Sequence, residues 1–487
     1  MKLAGIGRVV LVVTAVFVAV WLCTILYWRA SNATPGGGQM LLFLGVLPLT
    51  LLGGIWLLRR RRASRSGAPA EADGRTAAAG DGEDADAVEA TPPLQCLAAA
   101  LHLPCGDDAG QVLALLPTPP RPGLHPKFRD RDGLPVFASH VDGLVLDGIA
   151  DTVAGSVEVQ RQLAQAEERV RVLALIEPVA AALFEQAARL LPPLPMAEER
   201  VVAGLRRTTA GQVRIAMRIH ALLPASWEAP LRQAAGDWLL DLALASGIDT
   251  QRVALDVVAA DGADAAWRLL DAVAAGATDD DAWHLLLAGD SLIGERSVQR
   301  LIASGQLMDS RRSEGIVPGE GAAGVLLRPP DALAPVDPEA GVALHRAVRA
   351  TLPAGSRPRT VAHASGELMA LALRRAGQDA DAVALVLSDA DQRPTRAVEA
   401  SAAAAAACPE LDIATQCGAI GVPCGETGPV APLALLALAA TQVQASGQAA
   451  LVFSFAAAGD RVAALVMPPP PSEPSPEQAG VEPAAAT

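Results

Sequence analysis

Hydrophobic and polar positions divide the chain into four regions. Val9 to Trp28 and Met40 to Leu58 are two apolar runs without a charge, each close to the ~20 residues that cross a ~30 Å hydrocarbon core. Only Arg29 to Gln39 separate them, so they predict a tight transmembrane hairpin over 1–62. Residues 63–93 are poor in large apolar side chains and rich in Ala, Gly, Asp and Glu, the composition of a flexible acidic linker. From 94 to 467, short apolar runs alternate with longer helical patterns. Residues 468–487 form a Pro-rich tail expected to be disordered.

Within the third region, "RVRVLALIE" predicts a strand before a helix near Pro178 to Leu191. "QVRIAMRIHALL" predicts a strand before the helix around Glu228 to Ala245, and "RVALDVV" one before a helix starting at Ala263. "AWHLLLAG", "AGVLLRP" and "DAVALVLSD" read as further strands. Helices follow near Ala397 to Ala407 and along "VAPLALLALAATQVQASG". "ALVFSFAAAGDRVAALVMPP" closes the region as a hairpin-like pair turning at Gly459-Asp460. Strands that are apolar throughout, alternating with helices, imply a sheet covered on both faces.

Composition sharpens this picture. Apolar residues make up 51% of the 487 positions but aromatics only 3%, which suits Ala-, Val- and Leu-rich helices packed closely on a buried sheet. A net charge of −14 argues against nucleic acid as a partner, because phosphate needs a basic face. The six cysteines form no CxxC pair and have no His at metal-ligand spacing, so they read as reduced, small hydrophobic residues, with no metal and no cofactor implied. Lys2 and Arg8 precede the first apolar run and Arg59 to Arg62 follow the second, while the loop between holds only Arg29. The positive-inside rule therefore places both termini and the soluble domain in the cytoplasm, at an inner membrane of bacterial type.

"VALDVVAADGADAAWRLL" (Val253 to Leu270) then raises a chemical question. A strand turning sharply into a helix is a common way to present a nucleophile, yet this turn offers no Ser or Cys. Three later segments fall into a recognisable order: "HLLLAGDSLIG"; "EGIVPGEGAAGVLLRPP"; and "GELMALALRRAGQDADAVALVLSDAD" with "RAVEASAAAAA", which carries Glu399. "CGETGPVAPLALLALA" and "ALVFSFAAAGDRVAALVM" complete the set. Together they resemble the β-ketoacyl synthase branch of the thiolase-like superfamily, clearly over about 250–467 and faintly over 94–249.

The resemblance implies an α/β, thiolase-like layered fold (αβαβα) behind the transmembrane hairpin. It also implies a Cys nucleophile at the elbow, activated by a helix N-terminus, and two His that assist decarboxylation and condensation. Here Ala259 matches the nucleophile, Ser388 or Asp389 the first His, and Glu426 the second. The family's Gly-Phe-Gly-Gly loop reads Ala456 to Gly459. No Cys lies between Cys105 and Cys408, so a small slip in alignment supplies none. Cys424, with Glu426 as base, and His363 are the alternative reactive groups. Their blander readings are a buried small residue and a helix-start or loop residue. Asp389, Asp391 and Glu426 would form a mutually repelling acid cluster unless one is protonated or a cation binds. The alternative is a water-exposed Asp turn.

Two classes of function follow from the resemblance. One is a non-catalytic partner, scaffold or adaptor at the cytoplasmic face of the inner membrane, or a sensor that keeps the acyl pocket. The other is a divergent acyltransferase or acyl-thioester enzyme of fatty-acid or polyketide type. The partners implied are a second thiolase-like chain, in a homodimer or heterodimer, and an acyl carrier protein or an envelope or secretion-system protein.

Overall fold

A computed structural model describes residues 92–469, apart from 154, 192–197, 203–204, 210–214, 277–281, 331 and 333–340. The hairpin expected over 1–62, nearly all of the linker and the tail beyond 469 lie outside these residues. Among the described residues no helix is long and apolar enough to cross a membrane.

The first half of the chain supplies β1 (Leu94–His102), α1 (Ala109–Leu115), β2 (Gly123–Arg129), β3 (Pro135–Ala138), α2 (Ile149–Thr152), α3 (Val157–Ala164), α4 (Glu167–Leu190), β4 (Glu198–Val202) and β5 (Leu205–Thr209). It continues with β6 (Met217–Pro224), α5 (Ala229–Ala245), β7 (Val253–Ala260), α6 (Ala263–Ala274), β8 (Trp283–Ser291), α7 (Glu295–Ser304) and β9 (Glu320–Arg328). The second half supplies β10 (Val342–Leu344), β11 (Val348–Thr351), α8 (Pro358–Arg375), β12 (Val383–Ser388), α9 (Pro394–Ala407), β13 (Cys417–Ala419), α10 (Gly421–Cys424), α11 (Val430–Ser446), β14 (Ala449–Ser454) and β15 (Asp460–Met467).

Among the described residues, eleven strands share one sheet in the order β13-β12-β14-β15-β10-β1-β9-β8-β6-β7, with β11 on β15. The order repeats a motif. β6 runs parallel to β7 and β8, and β9 returns antiparallel to β8. In the second half β12 runs parallel to β13 and β14, and β15 returns antiparallel to β14. β10 joins the halves by pairing with both β1 and β15.

Packing follows from which elements are apolar all round. α11 buries Val430 to Ala440 and Val443 and touches β1, β8 and β9 of one half and β12, β14 and β15 of the other. With Trp267 and Leu270 of α6 it forms the central core. α4 and α5 cover the outer face of the first half, and α8 and α9 that of the second. The result is a helix–strand–helix–strand–helix stack.

One expected strand is not a strand. "RVRVLALIE" lies wholly within α4, with Pro178 inside that helix. Its alternating Arg and Val mimic strand period, but burial runs on through Val172, Leu173, Leu175, Ile176 and Val179, a surface only a helix enclosed by its neighbours presents. Arg171 is buried there because Glu320 of β9 receives it, Nε to Oε2 at 2.7 Å. Glu320 also accepts from Ser291 Oγ at 2.8 Å and Val141 N–H at 2.8 Å.

Candidate functional site

The turn after β7 opens one wall of a cavity of about 430 Å³. β7 ends at Ala260, and Gly262 takes φ +96°, a backbone conformation L side chains rarely adopt, before α6 begins at Ala263. Asp261, Gly262 and Ala263 therefore line the cavity. The β12–α9 junction adds Asp389, Asp391, Arg393 and Arg396. Gly425, Glu426 and Thr427 come from the segment between α10 and α11, and Phe455 to Ala458 from the loop after β14.

The polar groups form two connected sets. Asp389 is buried, accepting from Ser454 Oγ at 2.6 Å and from the Phe455 N–H at 2.8 Å. Burial raises its pKa, and the Arg396 charge opposes that rise. Asp391 accepts from Arg393 Nε at 2.9 and 2.8 Å and from the Arg393 backbone N–H at 3.1 Å. Arg393 Nη2 reaches on to Glu426 Oε2 at 2.9 Å. Burial pulls the Arg393 pKa down, but the hydrogen bonds and charges of Asp391 and Glu426 outweigh it and the net direction is up. Phe455 is flanked by two guanidiniums, Arg461 at 4.6 Å and Arg396 at 5.0 Å from the ring centre. Arg461 is held in turn by buried Glu399, Nε to Oε1 at 2.6 Å and Nη2 to Oε2 at 2.9 Å, and Glu399 also accepts from Ser365 Oγ at 2.7 Å.

Among the described residues, four carboxylates and two guanidiniums thus face the cavity, and neither Cys nor His is among its lining. Among the described residues no group of three His, Cys, Asp or Glu is placed to hold a metal ion.

Scans of the sequence against family models and against curated proteins give no match. Solved structures do match in three dimensions. The chain is similar to the ishigamide ketosynthase/chain length factor at 16% identity and TM-score 0.50, over 77% of this chain and 99% of that one. It is similar to an oxazolomycin ketosynthase domain of Streptomyces albus JA3453 at 14% identity and TM-score 0.51, over 78% and 75%. It is likewise similar to the module 6 ketosynthase of the bacillaene synthase from Bacillus subtilis 168, at 12% identity and TM-score 0.52, over 78% and 72%. The chain has a ketosynthase fold.

Within this ketosynthase fold the sequence-assigned residues separate into those at the cavity and those away from it. Asp389 and Glu426 line it. Ala259 does not: it is the penultimate residue of β7, paired in register with Leu223 of β6 and exposed. The strand runs two residues further than its β-branched run suggests, so Asp261 takes the elbow position instead. Ser388 is buried at the end of β12, its Oγ 3.4 Å from the Gly418 carbonyl. His363 lies in the second turn of α8, on its exposed side, and Cys424 is buried at the end of α10; neither lines the cavity. Asp389 and Asp391 are not a water-exposed turn: they are 7% and 4% exposed. The repulsion expected of them is offset by Arg393 and Arg396, which sequence reasoning passed over. Their signal was present as two arginines within five positions of Asp391 at a helix start.

Proposed function

We propose that this protein is a membrane-tethered, non-condensing ketosynthase-like partner, acting at the cytoplasmic face of an inner membrane. The observation that carries the reading is the cavity: it occupies the elbow of the ketosynthase fold, yet carboxylates and guanidiniums line it where condensation needs a thiol and two imidazoles. Asp391 and Glu426 are both held by Arg393, and no carboxylate in the lining replaces the thiol as a nucleophile. Two more acids than bases face inward, which disfavours a malonyl group carrying its own carboxylate.

A partner role is supported by β7, the terminal strand of the sheet. Asp256 and Ala259 are exposed on it, and Leu255, Val257 and Val258 are half-buried. An apolar edge strand is a template for pairing with another chain, so a homodimer or a heterodimer with a second thiolase-like protein is the expected assembly. An acyl carrier protein or an envelope or secretion-system protein is the expected further partner. Tethering rests on the two uncharged runs over 9–28 and 40–58 and the basic residues that flank them.

A second reading, an acyl-thioester enzyme working through carboxylates, draws on Asp389, whose raised pKa suits proton transfer. One assay separates the two. The full-length chain in detergent is given acyl and malonyl thioesters, and carbon dioxide, free thiol and covalent adducts are followed. The partner reading expects none above background. Turnover lost on Asp389→Asn or Glu426→Ala would establish the enzyme. For the tether, a periplasm-active reporter fused after Arg62 is expected to stay silent, and activity there would reverse the orientation.

A further inference from the structure

Away from the cavity lining, two thiols stand in contact. Cys105 Sγ and Cys424 Sγ are 3.5 Å apart, although 319 positions separate them in sequence. Cys105 sits in the tight turn after β1, where Leu103 and Gly106 exchange backbone hydrogen bonds of 2.9 and 3.0 Å, and it is half-buried. Cys424 is 1% exposed and ends α10, one residue before Gly425 and Glu426 of the cavity wall. That wall is pressed onto the chain before β9: a Cβ on Gly319 would meet the Cys424 carbonyl oxygen at 2.1 Å.

We propose that Cys105 and Cys424 form a peroxide-oxidised pair, whose disulfide staples the cavity wall to the turn after β1. A disulfide has its sulfurs ~2.05 Å apart, so they must close by roughly 1.5 Å, a distance that side-chain rotation and a small shift of the turn can supply. Cys105 is the attacking group. It is the more accessible of the two, and the hydrogen bond from Cys424 lowers its pKa while that of Cys424 is raised. The Cys105 thiolate attacks one peroxide oxygen, an S–O bond forms, the O–O bond breaks and hydroxide leaves. The Cys424 sulfur then attacks the sulfenic sulfur, an S–S bond forms and the S–O bond breaks. The departing hydroxide takes the Cys424 proton as water. The two sulfurs together lose two electrons, and the peroxide gains them.

The other described cysteines contrast with this pair. Burial pushes Cys96 up to about 12 and Cys408 and Cys417 up to about 11, leaving them as unreactive thiols. The inference is independent of whether the cavity is catalytic.

The test uses the full chain in detergent, reduced and then freed of reductant. It is treated with hydrogen peroxide, alkylated and mapped by mass spectrometry without reduction. A peptide linking Cys105 to Cys424 is expected, two hydrogens lighter than the sum of its parts and abolished by dithiothreitol. The oxidised chain is expected to melt at a higher temperature than the reduced one. Cys105→Ser, at a half-exposed site, should lose both the link and the shift. Cys424→Ala should do the same without burying a hydroxyl. Peroxide that takes Cys105 to sulfinic acid while Cys424 remains alkylatable, links other cysteines first, or leaves Cys105 unmodified overturns the proposal.

Discussion

Arg393 Nη2 lies 2.9 Å from Glu426 Oε2, binding the start of α9 to the segment that leads into α11. The same guanidinium holds Asp391, whose side chain is 5% exposed. Removing it strands a buried carboxylate, and one-sided deletion of a buried pair costs about 3–5 kcal/mol. Arg396, 3.5 Å from Asp391, offsets part of this. Arg393→Ala is therefore expected to lower stability by about 3 kcal/mol, read from urea unfolding. Glu426→Gln, at a 30% exposed side chain, should cost much less. Equal losses would show that Arg393 serves Glu426 rather than Asp391.

The elbow can be tested by introducing a nucleophile. Asp261→Cys is expected to take up an acyl group from an acyl thioester, seen as a mass adduct, yet release no carbon dioxide from malonyl thioester, because no imidazole is among the described residues that line the cavity. Ala259→Cys should form no acyl adduct, since that position is not among those lining the cavity. An adduct at position 259 and none at 261 would show that the cavity wall is not where a thioester reacts.

Glu320 is wholly buried, and its carboxylate satisfies Arg171, Ser291 and Val141 together. Glu320→Ala should destabilise the chain by about 3–5 kcal/mol, while Arg171→Met combined with Glu320→Leu should recover much of that loss. A Glu320→Ala variant that melts with the wild type would sink the structural role assigned to Glu320.

Asp290 supplies a pH signature. Burial pushes its carboxyl from 3.8 up to about 7; the Ser291 N–H opposes the rise, and the charge of Glu426 adds to it. Between these values the folded state holds a proton that the unfolded state has lost, so this group's contribution to stability falls as pH rises from about 4 to about 7. Asp290→Asn removes the ionisation. The variant should gain on the wild type as pH rises across that window, measured by urea midpoints at pH 5 and pH 8. Parallel pH profiles would show that Asp290 ionises normally in the fold.

Legibility in the sequence tracked how locally each feature is determined. β8, β14 and α11 read directly from runs of apolar residues, because enclosure on every side leaves no polar positions to confuse the period. β1 was missed: "LQCLAAALH" is Ala-rich, and its strand form comes from pairing with β9 and β10 rather than from intrinsic preference. α4 was misread where Arg171 mimics a solvent position, since only the distant Glu320 makes its burial tolerable. At the site, Asp389 and Glu426 followed from segment order, whereas Asp261 was missed by two residues because the end of β7 is set by its register with β6. The contact between Cys105 and Cys424 has no local signal at all.

The placement of α11 has a consequence for how the protein comes apart. A helix buried on every side has no stable position until both β8–β9 and β14–β15 are present to receive it. Neither half of the sheet can melt alone without exposing that helix to water, so the duplicated halves are not separate cooperative units. Calorimetry of the folded region is expected to show a single transition whose van't Hoff and calorimetric enthalpies agree, despite a topology that reads as two copies of one motif.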